Sequence, residues 1–119
     1  MLDRATAEDF AARWIASWNS RDLAQILRLY TEDFVFSSPL IVAIAGEPSG
    51  ILIGKDAVGA YWRKALARRP DLTFRLESVR WGIQSIVINY SSDDGHGASE
   101  WFQLGPGGLI ERSSAHYGV

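Results

Sequence analysis

The sequence predicts an α+β domain: three N-terminal helices packed against a strongly curved antiparallel sheet built from the second half of the chain. Apolar residues recur at helical spacing in three segments before Pro70, and after Pro70 the period changes to two. The strand-like runs that follow are separated by Gly82, by Asp93-Asp94-Gly95 and by Gly105-Pro106-Gly107-Gly108, all of them turn chemistry.

The first expected helix covers residues 6–19. Thr6 followed by Asp9 is a capping-box-like start, and Phe10, Trp14 and Trp18 recur at every fourth position beside Ala11 and Ile15. Asn19-Ser20 breaks that pattern. A second helix runs from about Asp22, with Leu23, Ile26, Leu27 and Tyr30 on one face. Phe34-Val35-Phe36 reads as a short strand ended by Ser37-Ser38-Pro39. The stretch from Leu40 to Ile53 is apolar but interrupted by Gly46, Pro48 and Gly50, and fits a short hairpin or a lid. The third helix starts after Gly54, with Asp56 in its first turn and Val58, Tyr61, Trp62, Ala65 and Leu66 as its stripe. It closes at Arg68-Arg69-Pro70, with cations at the end the helix dipole favours. Strands are expected at 72–81, 84–91, 98–104 and 109–117.

A chain of 119 residues is expected to form one domain, 1–119, around a single core. A net charge of −2 without a basic stripe argues against a nucleic-acid partner. The absence of cysteine excludes disulfides, thiolate nucleophiles and Cys-type zinc sites. The two histidines, His96 and His116, lie far apart in sequence, so neither a metal nor a cofactor is expected. The longest strongly apolar stretch, Leu40 to Ala45, is too short to span a bilayer, and Met1-Leu2-Asp3-Arg4 does not open a signal peptide. No membrane partner is expected, and the cytoplasm is the default location. Five tryptophans in so short a chain point to a bulky core or an aromatic-lined pocket.

Glu100 carries the most chemical information. In Ala98-Ser99-Glu100-Trp101-Phe102-Gln103-Leu104 the strand period puts Glu100 on one side with Ala98, Phe102 and Leu104. A carboxylate on that face must find a partner, take up a proton or face a cavity. If Gly105–Gly108 joins the last two strands symmetrically, Glu100 faces Ser113, with Glu111 diagonal to it at about 7–8 Å. Burial and that like charge would both raise its pKa. The alternatives are a salt bridge to Arg75 or Arg80, or exposure. The same register puts Tyr117 on the Glu100 side and His116 on the opposite one, where a structural or interface role is expected; a bulge at Ser113-Ser114 would reverse that. His96, between two glycines, is expected to be solvated.

The chain resembles the ketosteroid isomerase, SnoaL-like cyclase and nuclear transport factor 2 superfamily. The residues that carry the resemblance are Trp14-Ile15-Ala16-Ser17-Trp18-Asn19-Ser20-Arg21-Asp22-Leu23, Tyr30-Thr31-Glu32-Asp33-Phe34-Val35-Phe36-Ser37-Ser38-Pro39, Gly54-Lys55-Asp56-Ala57-Val58 and Ser114-Ala115-His116-Tyr117-Gly118. The resemblance implies a cone, or cystatin-like roll, with the helices in the concave face of the sheet and a pocket inside. It also implies a homodimer through the outer face of the sheet. In the steroid isomerases the proton-shuttling carboxylate falls on Ser38 here, the oxyanion-site tyrosine on Trp14 and a supporting tyrosine on Trp62. Their hydrogen-bond-donating carboxylic acid falls on Glu100. With the usual base position occupied by Ser38, steroid isomerisation through that apparatus is not expected.

These readings make Glu100 the candidate acid–base group and Trp14, Trp18, Ser38, Tyr61, Trp62, Phe102, Ser113 and Tyr117 the candidate pocket lining. The expected ligand is a hydrophobic, oxygenated small molecule, and the expected chemistry is cofactor-independent isomerisation, cyclisation or hydration. The alternative is a non-catalytic ligand-binding or dimerisation domain that uses the Leu40–Ile53 segment and the outer sheet as its interface.

Overall fold

Asp3, not Thr6, opens the first helix. Its carboxylate accepts a hydrogen bond from Thr6 N at 2.8 Å, so α1 spans Arg4–Ser20. The computed structural model describes residues 2–118. Asp22 caps α2 (Leu23–Leu27) in the same way through Ala24 N and Gln25 N. This helix is shorter than its apolar spacing suggests. Tyr30 leaves it to open β1 (Tyr30–Ser37), where it pairs with Ile110. Ladder pairing and a buried hydroxyl contact outweigh the helical preference of one residue there.

The segment of ambiguous character becomes a fourth helix and an edge strand. Ser38 accepts from Leu40 N at 3.2 Å, Pro39 sits in the first turn, and Gly46 takes the left-handed conformation that ends α3 (Pro39–Ala45). Then β2 (Ile51–Ile53) pairs antiparallel with β1. The remaining elements are α4 (Lys55–Arg68), β3 (Phe74–Trp81), β4 (Ser85–Ser92), β5 (Gly97–Leu104) and β6 (Ile110–Tyr117), close to the expected spans.

The sheet order is β2-β1-β6-β5-β4-β3. One pair departs from the antiparallel expectation: β1 runs parallel to β6, because the chain returns to the edge of its first strand only after crossing the whole sheet. The helices fill the concave side. The core joins Phe10, Trp14 and Trp18 of α1 and Val58, Trp62 and Leu66 of α4 to Phe34, Ile86, Ile88 and Phe102 of the sheet. At about 25 cal/mol per Å² of apolar surface, each such ring or aliphatic chain contributes roughly 1.5–3 kcal/mol of burial. Two side chains stitch the layers together. Asn19 donates to Phe74 O at 2.9 Å and accepts from Phe74 N at 2.8 Å, fixing the end of α1 on β3. Arg21 donates to Leu66 O, Arg69 O and Leu72 O, closing the carbonyl end of α4.

The expected register between the last two strands is off by two. A bulge at Glu111 places Gln103 opposite Arg112 but Leu104 opposite Ile110. Glu100 therefore lies across from Ala115, and Ser113 lies across from Phe102. The displaced Glu111 turns its carboxylate over Gly105, where a Cβ would collide with it. A bulge at this point leaves the later alternation intact, so His116 stays on the outer face beside Ser99.

Candidate functional site

The site begins with the row structure of the inner sheet face. Ala115, Glu100 and Ile88 form one cross-strand row, and Tyr117, Ala98 and Tyr90 form the next. Ala98, next to Glu100 on the same strand face, is short, and space opens above it. Around that space is a cavity of about 500 Å³. Much of its wall is aromatic, with Trp14 and Trp18 from α1, Tyr61 and Trp62 from α4, and Phe74 and Tyr90 from the sheet, while Arg68, Arg69, Ser92, Asp94 and His96 give it a polar side. Leu40 and Ile44 of α3 close one side, so the segment that the sequence left as hairpin or lid supplies a wall.

Glu100 lies on the cavity wall and is only 4% exposed. Tyr90 Oη donates to its Oε1 at 3.3 Å and Ser113 Oγ to its Oε2 at 3.0 Å. Among the described residues no lysine or arginine pairs with it; the arginine ion pairs join Arg4 to Glu8, Arg13 to Asp9, and Arg69 to Asp93 and Asp94. The salt bridge to Arg75 or Arg80 does not form. Burial pushes the Glu100 carboxyl up to about 7, against the two hydroxyl donors, which favour the anion. Glu111 has no part in this, because the bulge has carried it away. The acid's charge is felt in turn by the surrounding phenols. Tyr30, Tyr61, Tyr90 and Tyr117 are all raised, first by burial and also by Glu100, Tyr117 to about 12.

The residues proposed from sequence separate into two layers. Trp14, Trp18, Tyr61, Trp62 and Tyr117 reach the cavity with Glu100. Ser38, Phe102 and Ser113 are buried just behind it. Ser38 caps α3 and offsets part of the rise at Tyr61 and Tyr117, Phe102 packs edge-on against Phe10 and Trp14, and Ser113 holds Glu100. The indole N–H of Trp14 donates to Tyr30 Oη at 3.1 Å, so it is not free for a ligand. Trp18 Nε1 is the one buried side-chain polar atom without a hydrogen-bond partner among the described residues. His96 is exposed, as a glycine-flanked turn residue should be, and bonds Asp94 at the cavity rim at 3.0 Å.

Tyr30 and Tyr90 are the site residues that sequence reasoning passed over. Tyr30 looked like the end of a helical stripe. Tyr90 sits at period two with Ile86 and Ile88, a signal that places it on the inner face without revealing its contact to Glu100. Among the described residues no group of three or more His, Asp or Glu is arranged to hold a metal, and no helix is long and apolar enough to cross a membrane.

A curved sheet wrapped over helices, with a carboxyl-bearing aromatic cavity inside, defines a cone-shaped pocket protein. The model of the SnoaL-like domain family matches residues 11–105, and the chain belongs to that family. A SnoaL-like protein of unknown function from Burkholderia thailandensis is 45% identical, with 98% of each chain covered and a TM-score of 0.93. Two more distant structures share the fold at 16% identity. One is a putative isomerase of the SnoaL-like family from Agrobacterium tumefaciens (TM-score 0.77, covering 98% of this chain and 100% of that one). The other is the epoxide hydrolase/cyclase-like enzyme SalBIII of pyran ring formation in polyether salinomycin (TM-score 0.73, covering 100% and 95%). None of the curated proteins compared matches the chain.

Proposed function

We propose that this protein binds a hydrophobic, oxygenated small molecule in its aromatic cavity and that Glu100 moves a proton on it without a cofactor, in an isomerisation, cyclisation or hydration. One observation carries the reading: a buried carboxyl with no cation paired to it, held by two hydroxyls, on the wall of a largely apolar cavity. A group with a pKa near 7 is present in both forms at neutral pH, which suits it to take a proton and return it. A carboxylate at this position would accept the proton from a C–H beside a carbonyl, and the resulting acid would hand it back at a second atom. Tyr61 and Tyr117 are the nearby phenols able to donate to the oxygen on which charge develops. The isomerase- and cyclase-like relatives agree with this chemistry at the level of the scaffold.

The test is α-proton exchange of 2-tetralone in D₂O, followed by NMR. Wild-type protein should accelerate exchange with a limb near pH 7, and Glu100→Gln should remove roughly 10²-fold or more of that acceleration. Equal exchange by both proteins would refute the proton-transfer role.

A second reading has its own observation. On the outer face Val87, Ser99, Trp101, Ser114 and His116 line a shallow groove, with small side chains around one large ring. This favours a homodimer through the outer sheet, which is compatible with a pocket in each protomer. Sedimentation at dilute concentration tests it, and a monomer would end it.

A further inference from the structure

The polar side of the cavity carries an inference that rests on the pocket reading above. Tyr61, Ala65 and Arg68 stand at i, i+4 and i+7 on α4, so the helix face that lines the cavity ends in a cation at its rim. A basic residue in a last turn ordinarily answers to the helix carbonyls. Here Arg21 already does so, donating to Leu66 O at 2.8 Å and to Arg69 O at 3.0 Å. The neighbouring Arg69 is also committed, to Asp93 at 3.0 Å and to Asp94 at 3.5 Å. Among the described residues Arg68 pairs with no acid, Asp71 three positions further on included. The acids of the cavity wall are taken as well. Glu100 accepts from Tyr90 and Ser113, and Asp94 from Ser92, His96 and Arg69. Exposed Arg68 is the wall cation left without a counter-charge.

The interior would reject an anion. A ligand carboxylate placed beside Glu100 would be desolvated among aromatic rings and would face that group's own charge whenever it ionises. At the rim the same carboxylate keeps contact with water and meets Arg68, whose planar fork matches both of its oxygens. A single guanidinium balances a single charge, which suits a carboxylate better than a phosphate carrying close to two. We infer that the ligand of this cavity is an amphipathic carboxylate, with its apolar body inside and its anionic end held at the rim by Arg68. Arg68 is then the residue that separates acids from neutral compounds of the same shape.

The experiment titrates the full chain calorimetrically with 4-phenylbutyrate and with its neutral amide, 4-phenylbutyramide. The titrations run at about pH 6, where the acid probe is ionised and Glu100 is largely protonated. Wild-type protein should favour the acid by about fivefold, the scale of a partly exposed ion pair, and about 0.5 M salt should remove most of that preference. Arg68→Glu should reverse the order, so that the amide binds more tightly. Arg63→Glu makes the same change of net charge at an exposed residue of α4 outside the cavity wall, and should keep the wild-type order. An order unchanged in Arg68→Glu, an order reversed equally by Arg63→Glu, or equal binding of the two probes to wild type overturns the inference. Equal binding leaves the pocket reading in place. If neither probe binds while 2-tetralone exchange is still accelerated, the carboxylate inference fails and the proton-transfer reading stands; if exchange fails as well, both fall.

Discussion

Replacing Glu100 by glutamine should change how stability depends on pH. The side chain keeps its size and can still exchange hydrogen bonds with Tyr90 and Ser113, whose hydroxyls rotate to suit an amide. The wild-type carboxyl rises from 4.5 in the unfolded chain to about 7 in the folded one. Between those values the folded state holds a proton that the unfolded state has released, so stability falls as pH rises. The contribution is complete below about pH 4.5 and lost above about pH 7. At about 1.4 kcal/mol per pH unit, the rise corresponds to roughly 3 kcal/mol. For a domain of this size that is of the order of 10 °C in Tm. Urea unfolding followed by tryptophan fluorescence from pH 5 to pH 8 reads it directly. Wild-type protein should lose the bulk of this stability across the range, and Glu100→Gln should be nearly flat by comparison and the more stable protein at pH 8. If the two proteins show the same slope, or wild type gains stability toward pH 8, the buried, unpaired carboxyl is not what the site contains.

Asn19→Asp should cost about 1–3 kcal/mol, because a carboxylate cannot donate to Phe74 O and would face that carbonyl with like polarity; chemical denaturation measures it. Arg21→Ala should cost about 2 kcal/mol by uncovering three carbonyls at the end of α4, and Arg21→Lys should recover less than half, since an ammonium lacks the planar fork; thermal melts of the three proteins decide this. Gly50→Ala, just before β2, should cost about 1 kcal/mol or more, because φ is +70° there and a Cβ would sit 3.3 Å from Ser38 O; chemical denaturation reads this strain. For the outer-sheet dimer proposed above, Trp101→Lys should leave only monomer in sedimentation with little loss of fold, as its ring lies on the outer face away from the core; unchanged sedimentation of wild type and variant refutes that interface.

How much of this was legible in the chain differs from residue to residue. The stripe of Phe10, Trp14 and Trp18, the cationic stop at Arg68-Arg69 and the alternation around Glu100 each state their own structure, because helix and strand periods depend only on neighbours along the chain. Such patterns were enough to place three of the four helices, the four strands of the sheet's second half and the awkward carboxyl on an inner face. Tyr30 shows the limit. Its spacing is helical, and only its pairing with Ile110 and its contact with Trp14 make it the start of a strand.

The environment of Glu100 was decided by tertiary structure. The turn pairs Leu104 with Ile110, one residue beyond the expected Leu109, and the extra residue at Glu111 adds a second step, so Ala115 and not Ser113 stands opposite Glu100 and the expected like charge is gone. A bulge has no local marker in Leu109-Ile110-Glu111-Arg112, since it arises from how the turn and the parallel pairing with β1 are reconciled. The sequence by itself determined that a carboxylate would stand on the apolar side of a strand. The fold alone decided that this carboxylate meets two hydroxyls and no paired cation, on the wall of a cavity, because those partners come from neighbouring strands whose register is set only when the sheet is assembled.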